Sequence, residues 1–230
     1  MESSEPFGSV AYGTVARGLK VAAVALGLFA APAAAQEVTI AALGDSLTAG
    51  YGLPEEDGFV PALNRWLDAA GVAAEVTNAG VSGDTTAGGL ARLDWTLTPE
   101  VDAVIVALGG NDLLRGVDPA VSRANLDGIL EALAARGVPA LVIGMEASGN
   151  YGAAYKAAFD AMYPELAEEH GALLAPSFLG PLVAEVDIGT ARVRYMQGDG
   201  IHPNAEGVEV IVEAIGPRVA ELAAVAEPES

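Results

Sequence analysis

From Ala103 to Leu108 every residue is apolar, and the run halts on Gly109-Gly110. A strand with no polar face has to be covered on both sides, which is the condition of a parallel sheet held between layers of helix. Val38 to Leu43, ending at Gly44, and Ala140 to Ile143 are further runs of this kind, with Val72 to Val76 and Leu173 to Ala175 as shorter ones. Helical stripes separate them. Phe59 to Ala70 carries Val60, Leu63, Trp66 and Leu67 on one face and is closed by Gly71. Asp118-Pro119 opens a helix as N-cap and first-turn proline, with Val121, Ile129, Leu130 and Leu133 expected to face inward and Gly137 after its end.

Tyr155, Phe159, Met162 and Leu166 mark another helix, which Pro164 is expected to kink or restart. From Ala205 onward, Val208, Ile211, Ile215, Val219 and Leu222 form a final stripe, disturbed at Gly216-Pro217. The alternation predicts an α/β chain, a three-layer α/β/α sandwich around a parallel sheet of about five strands. At 230 residues, 52% hydrophobic and 18% charged, the chain suits one such domain and has no linker that would justify a second.

The leading residues read differently. Arg17 and Lys20 precede the apolar run Val21 to Ala31, and Ala33-Ala34-Ala35 supplies small residues for cleavage before Gln36. Residues 1–35 are therefore expected to be a cleaved signal peptide, 36–226 the folded domain and 227–230 a frayed tail. The run is too short to span a bilayer comfortably, so no stable membrane insertion is expected, and the protein is expected to be secreted. A net charge of −20 with only 11 basic residues excludes nucleic acid and anionic membrane surfaces as partners. The lack of cysteine removes a disulfide frame and a thiolate nucleophile.

In a parallel sheet, ligands bind beyond the carboxyl ends of the strands. Three polar loops follow strands there: Gly44-Asp45-Ser46-Leu47, Ser82-Gly83-Asp84-Thr85 and Gly109-Gly110-Asn111-Asp112. Of the two histidines, His170 sits at a helix end, where a surface-capping role suffices. His202 lies in a glycine-flanked turn, Gly198-Asp199-Gly200-Ile201-His202-Pro203, with Asp199 three residues before it. Imidazole is the usual proton carrier beside a hydroxyl nucleophile, and an acid folded back on the turn would fix its tautomer. Alone, the pair could equally be a helix-capping turn.

Ser46 at the mouth of the first strand could likewise be a helix cap, or part of an anion-binding loop with Thr48 and Gly50. The nucleophile reading gains from nearby donors: the backbone N–H groups of Ser46 and Gly83 and the Asn111 amide could together hold an oxyanion.

These four blocks, Gly44-Asp45-Ser46-Leu47, Gly83 in Ser-Gly-Asp-Thr, Asn111 in Gly-Gly-Asn-Asp, and Asp199-x-x-His202, resemble in order those of the SGNH (GDSL) hydrolases. The chain is further similar to their bacterial periplasmic thioesterase I / protease I / lysophospholipase L1 branch, often labelled arylesterase. Gly-Leu-Ala-Arg-Leu at 89–93, Leu-Arg-Gly at 114–116, Asn-Tyr-Gly at 150–152 and Tyr-Pro-x-Leu-Ala at 163–167 carry that likeness.

The resemblance implies a flavodoxin-like sheet, Ser46 as nucleophile, His202 as general base and Asp199 as its orienting acid. It also implies an oxyanion hole of Ser46, Gly83 and Asn111, no metal and no organic cofactor. A periplasmic monomer acting on small-molecule aryl esters, acyl-CoA or lysophospholipid-type substrates is expected. A carbohydrate O-acetyl esterase of the same superfamily is one alternative, and a flavodoxin-like anion or nucleotide binder is another. The chain departs from that branch at Glu146-Ala147-Ser148-Gly149, where relatives have an Arg-Leu-Pro-like stretch lining the acyl site.

Overall fold

The computed structural model describes residues 1–3, 8 and 37–227, so the expected signal peptide and the tail beyond 227 lie almost wholly outside the described residues. Five parallel strands form one sheet: β1 (Val38–Gly44), β2 (Ala74–Gly80), β3 (Ala103–Ala107), β4 (Ala140–Ile143) and β5 (Leu173–Ala175). Their order is β2-β1-β3-β4-β5, the flavodoxin-like arrangement.

Side chains alternate across each strand, and both faces of β1, β3 and β4 are buried. Ile40, Ala42, Ile105, Leu141 and Ile143 face a core shared with helices α2 (Phe59–Ala70) and α9 (Ala205–Ala226). Ala41, Leu43, Val104, Val106 and Val142 face the other, shared with α6 (Pro119–Ala134) and α7 (Ala153–His170). The result is the three-layer sandwich. Shorter helices complete the fold: α1 (Ser46–Ala49), α3 (Thr86–Ala91), α4 (Leu93–Thr96), α5 (Gly110–Arg115) and α8 (Ile188–Tyr195). Among the described residues no helix is long and apolar enough to cross a membrane.

Three expectations need correction. The second strand starts at Ala74, not Val72, and runs on to Gly80. Val72 instead donates its N–H to Leu67 O and completes the α2 cap around left-handed Gly71. The strand's outer half is polar because β2 is an edge, paired on one side only. Val121 points outward, 51% exposed; Ser122, Leu126, Ile129, Leu130 and Leu133 make the inward stripe of α6.

α7 does not restart at Pro164 but runs through it, and α9 likewise runs through Pro217. An interior proline costs about 3 kcal/mol, whereas each large aliphatic side chain buried contributes about 1.5–3 kcal/mol. Around Pro217 the inward stripe of Val212, Ile215, Val219 and Leu222 outweighs that cost. Gly216 permits close contact: a Cβ there would stand 2.5 Å from the Trp66 ring, whose Nε1 donates to Glu213.

Strand register brings the rim loops to one level. Gly44 pairs with Gly80 on one side and Ala107 on the other. The loops leaving β1, β2 and β3 therefore start from a common line, and the crevice between β1 and β3 is where the winding of the sheet reverses.

Candidate active site

Asp45 follows the last residue of β1 and caps α1, accepting the Leu47 N–H at 3.0 Å. Ser46 is thereby the first residue of a one-turn helix and sits half-buried at the strand mouth. Its backbone N–H has no protein acceptor among the described residues, as expected of a first-turn donor.

The turn before α9 brings the histidine to this serine. Gly200 takes a left-handed φ of 67°, and Gln197 N–H donates to His202 O at 2.8 Å. The Gln197 amide also donates to Tyr51 O (2.8 Å) and Pro203 O (2.9 Å), fastening the turn to the end of α1. His202 Nε2 lies 2.8 Å from Ser46 Oγ, and its ring centroid is 4.7 Å from that of Tyr51.

Asp199 closes the arrangement. One oxygen accepts the backbone N–H groups of Ile201 (2.9 Å) and His202 (3.1 Å); the other lies 2.6 Å from His202 Nδ1. The His202 bond first, then the two backbone donors, hold its carboxyl down at about 2. An ionised carboxylate can only accept, so Nδ1 carries the proton and Nε2 presents a lone pair to the serine hydroxyl.

The other two loops are braced by charged groups. Arg92 donates to Asp84 (2.6 Å), Ala79 O (2.7 Å) and Gly44 O (2.8 Å), tying the ends of β1 and β2 to the loop that follows β2. Gly83 in that loop has a left-handed φ of 87°, which a side chain would oppose, and its N–H has no protein acceptor among the described residues. Its carbonyl accepts from Arg115 at 2.8 Å.

Asn111 is the second residue of α5, after left-handed Gly109. Asp112, 1% exposed, accepts from the Thr86 N–H (2.8 Å), Thr86 Oγ1 (2.6 Å) and Ser122 Oγ (2.9 Å), which joins the rim to α6. Asn111 Nδ2 donates to Asp45 Oδ2 at 3.2 Å. Ser46, His202 and Asp199 are thus joined in one hydrogen-bonded chain, and Asn111 is tied to it through Asp45. Gly83 is reached through Arg115.

Asp45 was not singled out in the sequence, where an aspartate before a helix reads as a cap. Burial pushes its carboxyl up to about 6, against the Leu47 and Asn111 hydrogen bonds and the charge of His202, which pull it down. His170 ends α7 and meets Asp127 at 2.7 Å, bridging α7 to α6 away from this cluster. Cavity size does not locate the chemistry. A hollow of about 1070 Å³ is lined by residues such as Leu182, Arg194, Glu209 and Val210, and by none of the rim residues above.

The model of the GDSL-like Lipase/Acylhydrolase family matches residues 42–210, which include the β1, β2 and β3 loops and the His202 turn. The chain belongs to this family. Among relatives of this SGNH (GDSL) hydrolase, Esterase TesA of Pseudomonas aeruginosa is 38% identical over 201 residues, 86% of this chain and 95% of that one. Thioesterase 1/protease 1/lysophospholipase L1 of Escherichia coli K12 is 38% identical over 182 residues, 78% of this chain and 82% of that one. The SGNH-hydrolase family esterase AlinE4 superposes with a TM-score of 0.66 at 45% identity, covering 82% of this chain and 98% of its own. The esterase EstA from Pseudoalteromonas sp. gives a TM-score of 0.72 at 30% identity, with 80% and 98% covered. The protein is an enzyme of the SGNH hydrolase family.

Proposed function

We propose that this hydrolase cleaves carboxylic ester and acyl-thioester bonds through an acyl-enzyme on Ser46. The observation that carries the reading is the 2.8 Å approach of His202 Nε2 to Ser46 Oγ, with Nδ1 of the same ring held by Asp199. Nε2 takes the hydroxyl proton as Oγ attacks the acyl carbon. The carbonyl oxygen gains the electron pair and meets the N–H groups of Ser46 and Gly83 and the amide of Asn111. Collapse of the tetrahedral adduct breaks the bond to the alcohol or thiol, which leaves with the proton from Nε2. Water then repeats the sequence on the acyl-enzyme, releasing the acid and restoring Ser46. Asp199 orients the ring and stabilises the imidazolium without taking its proton.

The substrate class follows from kinship. Relatives named esterase, arylesterase and thioesterase/lysophospholipase support aryl esters, acyl-CoA and lysophospholipids as substrates. Residues 1–35 serve as an export signal, so the mature enzyme is residues 36–226 with a short tail, a periplasmic monomer; N-terminal sequencing and sedimentation of the exported protein test this. The activity is tested by comparing p-nitrophenyl esters, acyl-CoA, lysophospholipid and acetylated xylan on wild type and Ser46→Ala. Hydrolysis of the first three, abolished in Ser46→Ala, is expected. Activity confined to acetylated xylan would make it an O-acetyl esterase, and activity retained by Ser46→Ala would refute the site.

A further inference from the structure

Asp45 does more than cap a helix. A cap needs only a short side chain with an oxygen acceptor, and Ser, Thr or Asn supply it with no ionisable group to bury. Here a carboxyl group 2% exposed has one oxygen on the Leu47 N–H and the other on the Asn111 amide, 66 residues along the chain.

A side-chain amide can be seated two ways round, with the NH2 or the oxygen at a given point, and the two have nearly the same shape. A carboxylate accepts and cannot donate. Placed against Asn111, it admits only the orientation in which Nδ2 faces it. One Nδ2 hydrogen is then taken by Asp45, and the second remains for another acceptor. A neutral carboxyl group could donate instead, and would tolerate the amide turned over with its oxygen inward.

We propose that Asp45 is a positioning residue for the oxyanion hole: its carboxylate dictates that Asn111 offers an N–H, and not its carbonyl oxygen, to the developing charge. This rests on the placement of Asn111 in the hole under the proposed function.

The surroundings of Asp45 make the device sensitive to pH. The groups facing it are His202 from the turn before α9, Asp112 from α5 and Tyr163 from α7. His202 favours its charged form, Asp112 opposes it, and burial is the largest influence, holding the carboxyl at about 6. Above that pH the carboxylate locks the amide. As pH falls through it, Asp45 takes up a proton and the lock is released.

The test is a double-mutant cycle in the full-length enzyme with a p-nitrophenyl ester. Kinetics and thermal midpoints are measured for wild type, Asp45→Asn, Asn111→Ala and the double variant. Asp45→Asn keeps the cap acceptor but can seat Asn111 either way round. Asp45→Ser, which caps but is too short to reach Asn111, runs as a second cycle should the first variant fold poorly. Asp45→Asn is expected to lower kcat roughly 10–100-fold with KM little changed, and Asn111→Ala about 10²–10³-fold. The double variant should fall within about threefold of Asn111→Ala, because Asp45 acts through that amide. The acid limb of log kcat should be steeper by one proton in wild type than in either single variant.

If Asp45→Asn slows the Asn111→Ala enzyme by its full single-variant factor, or leaves the acid limb as steep as in wild type, the proposal is wrong. If Asn111→Ala alone keeps near-wild-type kcat, the oxyanion hole itself was misplaced, a failure of the underlying reading that shows up in a different variant.

Discussion

Two aspartates flank the serine and histidine of this enzyme, and their surroundings drive them in opposite directions. Asp199 lies in an exposed turn, with three N–H donors converging on it, and its carboxyl is held down at about 2. Asp45 is buried behind the β1–α1 elbow with two donors, and burial wins, raising it to about 6. Donors outweigh desolvation where solvent still reaches the group, and lose to it where solvent does not. The turn therefore keeps a permanent charge beside His202, whereas the elbow keeps one that neutral pH only just maintains.

The largest expected effects fall on the turn. His202→Ala should lower kcat on the order of 10⁶-fold and Asp199→Asn on the order of 10⁴-fold, both read from p-nitrophenyl ester turnover. Equal, mild losses from the two would mean that the exposed aspartate does not orient the ring. On the elbow side, Asn111→Ala should cost about 10²–10³-fold in kcat. A loss as deep as that of His202→Ala would erase the distinction between proton transfer and charge stabilisation.

Stability against pH separates the two aspartates by sign. Asp45 has a folded value above its ordinary 3.8, so the native state holds the extra proton and gains stability as pH falls from about 6 towards 3.8. Asp45→Asn should then be more stable than wild type at pH 8, by up to about 3 kcal/mol, with the advantage gone near pH 4. Asp199 runs the other way: its contribution is present above its ordinary 3.8 and is lost as pH falls towards 2. Denaturant unfolding of Asp45→Asn and Asp199→Asn across pH 2–8 reads both slopes; slopes of the same sign would break the contrast. The smallest effect is expected from His170→Ala, which should leave kcat within about twofold of wild type, because His170 only bridges α7 to Asp127.

The turn was legible in the sequence and the elbow was not, for a physical reason. Asp199 and His202 are three residues apart, so a local pattern contains their whole interaction. Asp45 meets Asn111 across two strands, and its local signal, an acid before a helix, is the signal of an ordinary cap. The same limit applies to the fold. Runs buried on both faces, such as Ala103–Ala107 and Ala140–Ile143, stood out by composition alone. The polar second half of edge strand β2 did not, and neither did buried Ser122, whose place inside α6 depends on its bond to Asp112. Short α8 escaped as well, with Ile188 and Val193 exposed rather than striped inward.

Acyl transfer in this enzyme runs through Ser46 Oγ under the proposed function. Treating the full-length enzyme with a fluorophosphonate ester and mapping the adduct by peptide mass tests this directly. The account predicts a single phosphonyl group on the peptide carrying Ser46, complete loss of ester hydrolysis with its formation, and no label on Ser46→Ala. A label on another residue, or full activity in the labelled enzyme, would contradict it.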